Sequence, residues 1–253
     1  QLKAVEGEPF PLPRRVDDAI FFGENDNILH LYSTYYPRIY DRDDDYTDYQ
    51  QVNTFHYYDW HIKYAFAAKD GSWLALINRD KLNVWDTETG SLVKELDVFD
   101  TDIADFYMDK ASGSATLVSE SGALVIYNTT DWTAEHHAQI ALMEDGASIT
   151  SVLRVGEQLF CGDQSGHIYR GTTTQTPTLW KKIDGYIWRL MSDPQGRYVA
   201  ASNKGAVLPV FSVSGEGRDS EIKFEDTVAS IDFSDDGTLL AGGSWDGTVR
   251  VLN

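Results

Sequence analysis

A chain of 253 residues suffices for one large all-β domain or two small domains. With 42% hydrophobic and 24% charged residues it has the composition of a folded protein, and no run of about 18 apolar residues offers a membrane span. Forty acids against twenty-one bases give a net charge of −19, which argues against direct contact with nucleic-acid phosphates or an anionic membrane and favours a basic partner, a cation or plain solubility.

The chain begins at Gln1, as a trimmed start or a removed signal peptide would leave it, and Leu2–Gly7 (LKAVEG) reads as an extended segment. Residues 16–55 form an irregular strand region with a loose glycine turn at Gly23. Five similar units follow, near 60–98, 102–141, 148–183, 186–224 and 227–253. Each opens on an alternating apolar run: HIKYAFA, DIADFYM, SITSVLRV, YIWRLMS and TVASIDFS. A glycine turn comes next, at Gly71, Gly113, Gly156, Gly196 and Gly237, with spacings of about 42, 43, 40 and 41 residues. Asp-Gly and Gln-Gly supply the positive φ that such turns need. After a second strand, a further turn carries Gly122, Gly166, Gly205 or Gly247, and RDKLNVWD takes that place without glycine. A third strand and a polar turn such as DTETG or NTTDW lead to a fourth strand. Helical periodicity is nearly absent.

A lone four-stranded sheet would expose two apolar faces, so such units must pack against one another. The expected fold is all-β: one six-bladed β-propeller over residues 1–253, built of four-stranded antiparallel blades. The last blade reaches Asn253 after three strands, and residues 2–7 are expected to supply its fourth, closing the ring and removing two open sheet edges.

These residues resemble a known family. The segment from Thr227 to Asn253 looks like a WD repeat, and NVWDTETGSLVKEL, with Trp85-Asp86, is a second clear piece. Tyr127-Asn128, Tyr169-Arg170 and Phe211-Ser212 stand roughly where Trp-Asp is expected, and no Gly-His pair opens a repeat. The resemblance implies a propeller that serves as a protein-interaction scaffold, alone or within a larger complex or polypeptide.

The junctions between blades are acidic: Glu6 and Glu8, Asp59, Asp100 and Asp102, Glu144 and Asp145, Asp184, then Glu225 and Asp226. Such a ring of carboxylates would attract a basic peptide. Tyr57, Tyr58, Trp60 and His61 near one junction, and Tyr186, Trp188 and Arg189 near another, are of the types that anchor interfaces. Nine of the fourteen tyrosines fall between Tyr32 and Tyr64, which makes the first blade a candidate contact element. Asp41, Asp43, Asp45 and Asp48 form a weak calcium candidate, since both the turn glycine and the bidentate Glu are missing.

Catalytic and cofactor motifs are missing. Cys161 sits in the apolar run LFCG and reads as core. The six histidines make no spaced metal pair, no glycine-rich loop opens a helix to cradle phosphate, and no nucleophile elbow occurs, so no cofactor is expected. The competing reading is a propeller hydrolase or lyase, or a small-ligand receptor, with its site at the central channel. The cysteine count and the missing leader are compatible with the cytoplasm and with a mature exported protein.

Overall fold

The structure, a computed structural model, describes residues 62–68, 70–109 and 112–253, and the backbone of four strands between residues 18 and 54. The chain divides into two compact units, Gln1–Asp102 and Ile103–Asn253. Residues 2–7, expected to close the ring, lie outside the described residues. Among the described residues every element is a strand and every pairing is antiparallel.

In the first unit β1 (Asp18–Phe22), β2 (Asn27–Leu31), β3 (Arg38–Arg42) and β4 (Tyr49–Thr54) form one sheet in sequence order. A second sheet contains β5 (Tyr64–Ala67), β6 (Trp73–Asn78), β7 (Lys81–Asp86) and β8 (Leu92–Asp97). The second unit opens with β9 (Ile103–Asp109), β10 (Ser114–Ser119), β11 (Ala123–Asn128) and β12 (Ala134–Gln139). Next come β13 (Ile149–Val155), β14 (Gln158–Asp163), β15 (His167–Thr172) and β16 (Gln175–Lys182). The rest is a seven-stranded assembly: β17 (Ile187–Ser192), β18 (Tyr198–Asn203), β19 (Val207–Ser212) and β20 (Ser220–Lys223), joined through one Asn203–Val228 bridge to β21 (Val228–Phe233), β22 (Leu240–Ser244) and β23 (Val249–Leu252).

The burial of each strand follows its composition. Second and third strands such as β6 (WLALIN) and β11 (ALVIYN) are apolar and almost wholly buried, whereas fourth strands such as β8 (LVKELD) and β12 (AEHHAQ) are polar and largely exposed. The turn glycines behave as their spacing predicts: Gly71, Gly113, Gly156, Gly196 and Gly237 all have positive φ, from 60° to 77°.

Three cores fill the spaces between successive sheets of the second unit. Val118, Leu124 and Ile126 meet Val152, Leu159, Cys161 and Tyr169 in the first. Leu153, Phe160 and Ile168 meet Ile187, Leu190, Val199 and Phe211 in the second. Ala200, Leu208, Val210 and Phe224 meet Val228, Ile231 and Leu240 in the third. Each fully buried large side chain stabilises by about 1.5–3 kcal/mol. Cys161 is completely buried, and burial pushes its thiol pKa up, which keeps it protonated and inert.

The register corrects one sequence expectation. Trp85 lies opposite Leu74, Tyr127 opposite Ala115 and Phe211 opposite Val199, so these three aromatics are equivalent. In the sheet of β13–β16 the residue so placed is Gly171, opposite Leu159, and Tyr169 stands two positions earlier. An added Cβ on Gly171 would lie 2.6 Å from Pro177 N and 2.7 Å from Gln175 O, because β16 bulges towards it. Trp180 of β16 fills the role instead, with its ring 5.2 Å from Phe160 and 5.6 Å from Phe211. Gly171→Ala is expected to destabilise the protein by about 1–3 kcal/mol, since backbone must shift to admit the methyl group. Urea unfolding with an unchanged m value would check it.

Candidate functional site

Hydrogen bonds between loops bring one set of sheet ends together in the second unit. Ile149 N–H donates to Glu120 O at 2.9 Å, Thr150 Oγ1 to Ile187 O at 2.7 Å and Val228 N–H to Gly205 O at 3.1 Å, each linking one sheet to the next. Within the sheets, Gln164 N–H bonds Ser148 O (2.9 Å), Lys204 N–H bonds Tyr186 O (2.8 Å) and Trp245 N–H bonds Thr227 O (3.0 Å). The loops between sheets and the turns between second and third strands therefore share one end.

The first strands β9, β13, β17 and β21 are all irregular near that end. Their registers skip at Ala104, Thr150, Trp188 and Ala229, a bulge in the same place four times. A bulge re-aims the extra side chain out of the ladder. Three of these residues are small or polar, and the fourth is Trp188, 42% exposed, its ring 4.8 Å from that of Tyr186. The residue after the bulge also has a repeated task. Asp105 Oδ2 accepts Val152 N–H at 2.8 Å, and Ser151 Oγ accepts Leu190 N–H at 3.0 Å, stitching each first strand to the next. In β17 this position is Arg189, which is exposed.

The predicted acids of this unit lie in the loops between sheets at the same end. Glu144, Asp145, Asp184, Glu225 and Asp226 are all exposed at the shared end. Glu144 has a lowered pKa, because the Ser165 hydroxyl and then Lys182, 3.4 Å away, favour its charged form. Asp226 caps its own turn through Thr227 N–H (2.7 Å). Asp145, Asp184 and Glu225 make no side-chain hydrogen bond or ion pair among the described residues. Asp102, also exposed, ends the first unit. Met143 and Trp245, 55% and 63% exposed, add apolar surface at the same end. Tyr57, Tyr58, Asp59, Trp60 and His61 lie outside the described residues, as do Asp43, Asp45 and Asp48; Asp41 lies on the backbone of β3, and its side chain is outside the described residues. Among the described residues no three His, Cys, Asp or Glu side chains gather as a metal site.

A buried network at this end goes beyond the sequence reading. Asp163 is fully buried, and its carboxylate accepts Ser165 N–H (2.9 Å), His167 N–H (2.8 Å) and the Tyr169 hydroxyl (2.9 Å), with His167 Nδ1 at 3.0 Å. Tyr169 in turn accepts Met143 N–H at 3.0 Å, anchoring the loop before β13. Burial above all, and then the bond to Asp163, push the Tyr169 pKa up to about 12, so the hydroxyl stays protonated and donates. The second ring nitrogen of His167 faces Lys182 Nζ at 3.0 Å. The far nitrogen thus faces a cation, and the array ties the turn Asp163–His167 and the loop at Met143 to β15. The signal available was an acid followed by His and Tyr inside the apolar run LFCGDQSGHIY.

Below the bulges, β9, β13 and β17 wall a cleft of about 480 Å³, lined by Asp105, Tyr107, Arg154, Arg189 and Met191 among others. Burial raises the pKa of Asp105 against the pull of Val152 N–H. Arg154 is held by Asp109 at 3.6 Å and Gly156 O at 2.8 Å.

Repeated antiparallel blades with a common loop end define a blade-repeat protein. Residues 220–253 match the WD domain, G-beta repeat family, and that match together with the multi-blade architecture fits a WD-repeat family. WD40 repeats generally mediate protein–protein interaction, and the family is typically non-enzymatic. No curated protein matches the sequence. Among the described residues no helix is long and apolar enough to cross a membrane.

Two consequences can be measured. Tyr169→Phe removes one donor from buried Asp163 and the acceptor of Met143 N–H, so a loss of about 1–3 kcal/mol is expected, with faster amide exchange at residues 142–146. Asp246 accepts Thr248 N–H (2.8 Å), Thr248 Oγ1 (2.6 Å) and Glu225 N–H (2.9 Å), which hold its pKa down to about 2. A depressed folded pKa stabilises above the unfolded value of about 3.9 and is lost as pH falls through about 2. NMR titration of the Asp246 carboxyl carbon should inflect near 2, and Asp246→Asn should weaken the loop at pH 6 but make no difference at pH 1.5.

Proposed function

We propose that this chain is a non-catalytic interaction scaffold that binds a partner protein or basic peptide through the shared loop end. The observation that carries this reading is Trp188, an exposed indole displayed by a bulge and tilted against the ring of Tyr186. Tryptophan at such a point is the residue type that dominates interface energies. The carboxylates of Asp145, Asp184 and Glu225, which make no side-chain hydrogen bond or ion pair among the described residues, add attraction for Lys and Arg side chains. In the first unit Tyr57, Tyr58, Asp59, Trp60, His61 and Asp102 are proposed separately as partner contacts. The acidic surface disfavours nucleic acid and anionic membrane.

The proposed architecture is one six-bladed ring whose last blade takes Leu2–Gly7 as a fourth strand. Supporting it, β23 pairs with β22 alone among the described residues, and its Val249 and Val251 are 72% and 61% exposed. A second reading, a receptor for a small polar ligand, is favoured by the cleft with Asp105 and Arg189 on its walls.

The scaffold reading is tested by capturing partners on the immobilised protein, identifying them by mass spectrometry and measuring affinities with each purified partner. Trp188→Ala and Tyr186→Ala are expected to weaken binding at least about tenfold without changing the melting temperature. Wild-type affinity in both variants for every partner would overturn the placement at this end.

A further inference from the structure

The repeat defines what each position of a first strand normally does, and β17 departs from it twice in succession. The first departure, Trp188 in place of Ala104, Thr150 and Ala229, supports the function proposed above. The second is Arg189. Its counterparts Asp105 and Ser151 accept the N–H of the next first strand. Arginine has five donors and no acceptor, so Arg189 cannot make that bond. By the same register the N–H it would have received is that of Ile231 on β21. A stitch between strands is given up, and a guanidinium is left exposed at the head of the cleft.

Among the described residues of this unit that guanidinium shares its lack of a bonded partner with Arg218 of the exposed loop between β19 and β20, and differs from it in standing on a first strand. Arg154 is tied to Asp109 and Gly156, Arg170 to Gln158 at 2.9 Å, Arg197 to Asp193 at 2.8 Å and Gly237 O at 2.9 Å, and Arg250 to Lys223 O. Arg189 makes no side-chain hydrogen bond and no ion pair within 4.0 Å among the described residues. Asp105 attracts it, but that carboxylate is already engaged by Val152 N–H. A local rule broken with no hydrogen bond or ion pair in return among the described residues marks a functional position.

The chemistry of Arg189 names its counterpart. A planar fork of donors pairs best with a carboxylate, which accepts two parallel bonds. The acids in the loops of the same end select the opposite charge. A uniformly basic segment would satisfy Asp145, Asp184 and Glu225 but would set like charge against Arg189. We infer that Arg189 is a specificity residue: the partner segment seated beside Trp188 presents a carboxylate to it, from an Asp or Glu side chain or from the partner's C-terminus, with Lys or Arg towards the rim. This inference rests on the reading of this end as the partner-binding end.

The test is selection of a displayed peptide library, carrying both free C-termini and internal acids, on the full-length protein. Synthetic peptides from the selected pool are then titrated by calorimetry. Peptides bound at this end are expected to share a carboxylate flanked by bases. Arg189→Gln should weaken them at least about tenfold with an unchanged melting temperature, and Arg189→Lys should recover part of the loss. Selection on Arg189→Glu should replace the carboxylate by a base. C-terminal amidation, set against Glu→Gln within the peptide, separates the two sources of the carboxylate. Peptides that lack a carboxylate, or that bind Arg189→Gln as they bind wild type, overturn the inference. If such peptides still lose affinity on Trp188→Ala, the binding end stands and the role of Arg189 alone falls. If Trp188→Ala leaves them unaffected too, or no peptide is selected, both fall.

Discussion

Every interior strand of the second unit presents apolar side chains on both faces, and this sets the rest of the structure. On β14, Leu159 and Cys161 point into one core while Phe160 points into the next. On β18, Val199 and Ala201 serve one core and Ala200 the other. No sheet can satisfy such a strand alone, because one face would always meet water. Stacked sheets are the solution, and the polar fourth strands end each sheet where burial stops. Once the sheets are stacked, their loops at one end are forced together, and function follows from what those loops carry.

The same constraint explains why the Trp-Asp signature can decay without loss of the fold. What the packing needs is volume at the interface, not a particular residue. Trp85, Tyr127 and Phe211 are buried at one register position of third strands, and where Gly171 stands at that position Trp180 of the fourth strand packs against Phe160 and Phe211. Order at the loop end likewise has more than one source. The network centred on Asp163 ties a second-strand end, a turn and the preceding loop through one buried carboxylate, and it grows from residues of the same turn and strand. A fully satisfied buried group of this kind holds its neighbours to one geometry.

Much of the strand plan is legible because it depends on local features. Turn glycines need positive φ whatever their surroundings, so Gly71, Gly113, Gly156, Gly196 and Gly237 can be read from spacing alone. Alternation and polarity separate inner from outer strands in the same local way. The place of Tyr169 differs by two residues from its sequence reading because register is set across strands, and a sequence window holds only one of them. The acids of the loops are visible as charges, but which are already engaged is not. Asp226 and Glu144 have partners and Asp184 has none among the described residues, a distinction made by neighbours about 20 to 40 positions away or by turn geometry.

Trp188 and Arg189 illustrate the remaining step. From sequence they are two interface-type residues near a junction, no different in kind from many others. Their meaning comes from comparing the repeat with itself. Four strands share one bulge and two share one stitch, and only against that pattern are a tryptophan and an arginine seen to occupy positions that elsewhere hold small residues and acceptors. A repeat protein thus carries its own control. Where every copy keeps a bond, the bond serves the fold. Where one copy replaces it by an exposed cation beside an exposed indole, the described residues offer that cation only the attraction of Asp105, and such a departure from the pattern points towards a partner.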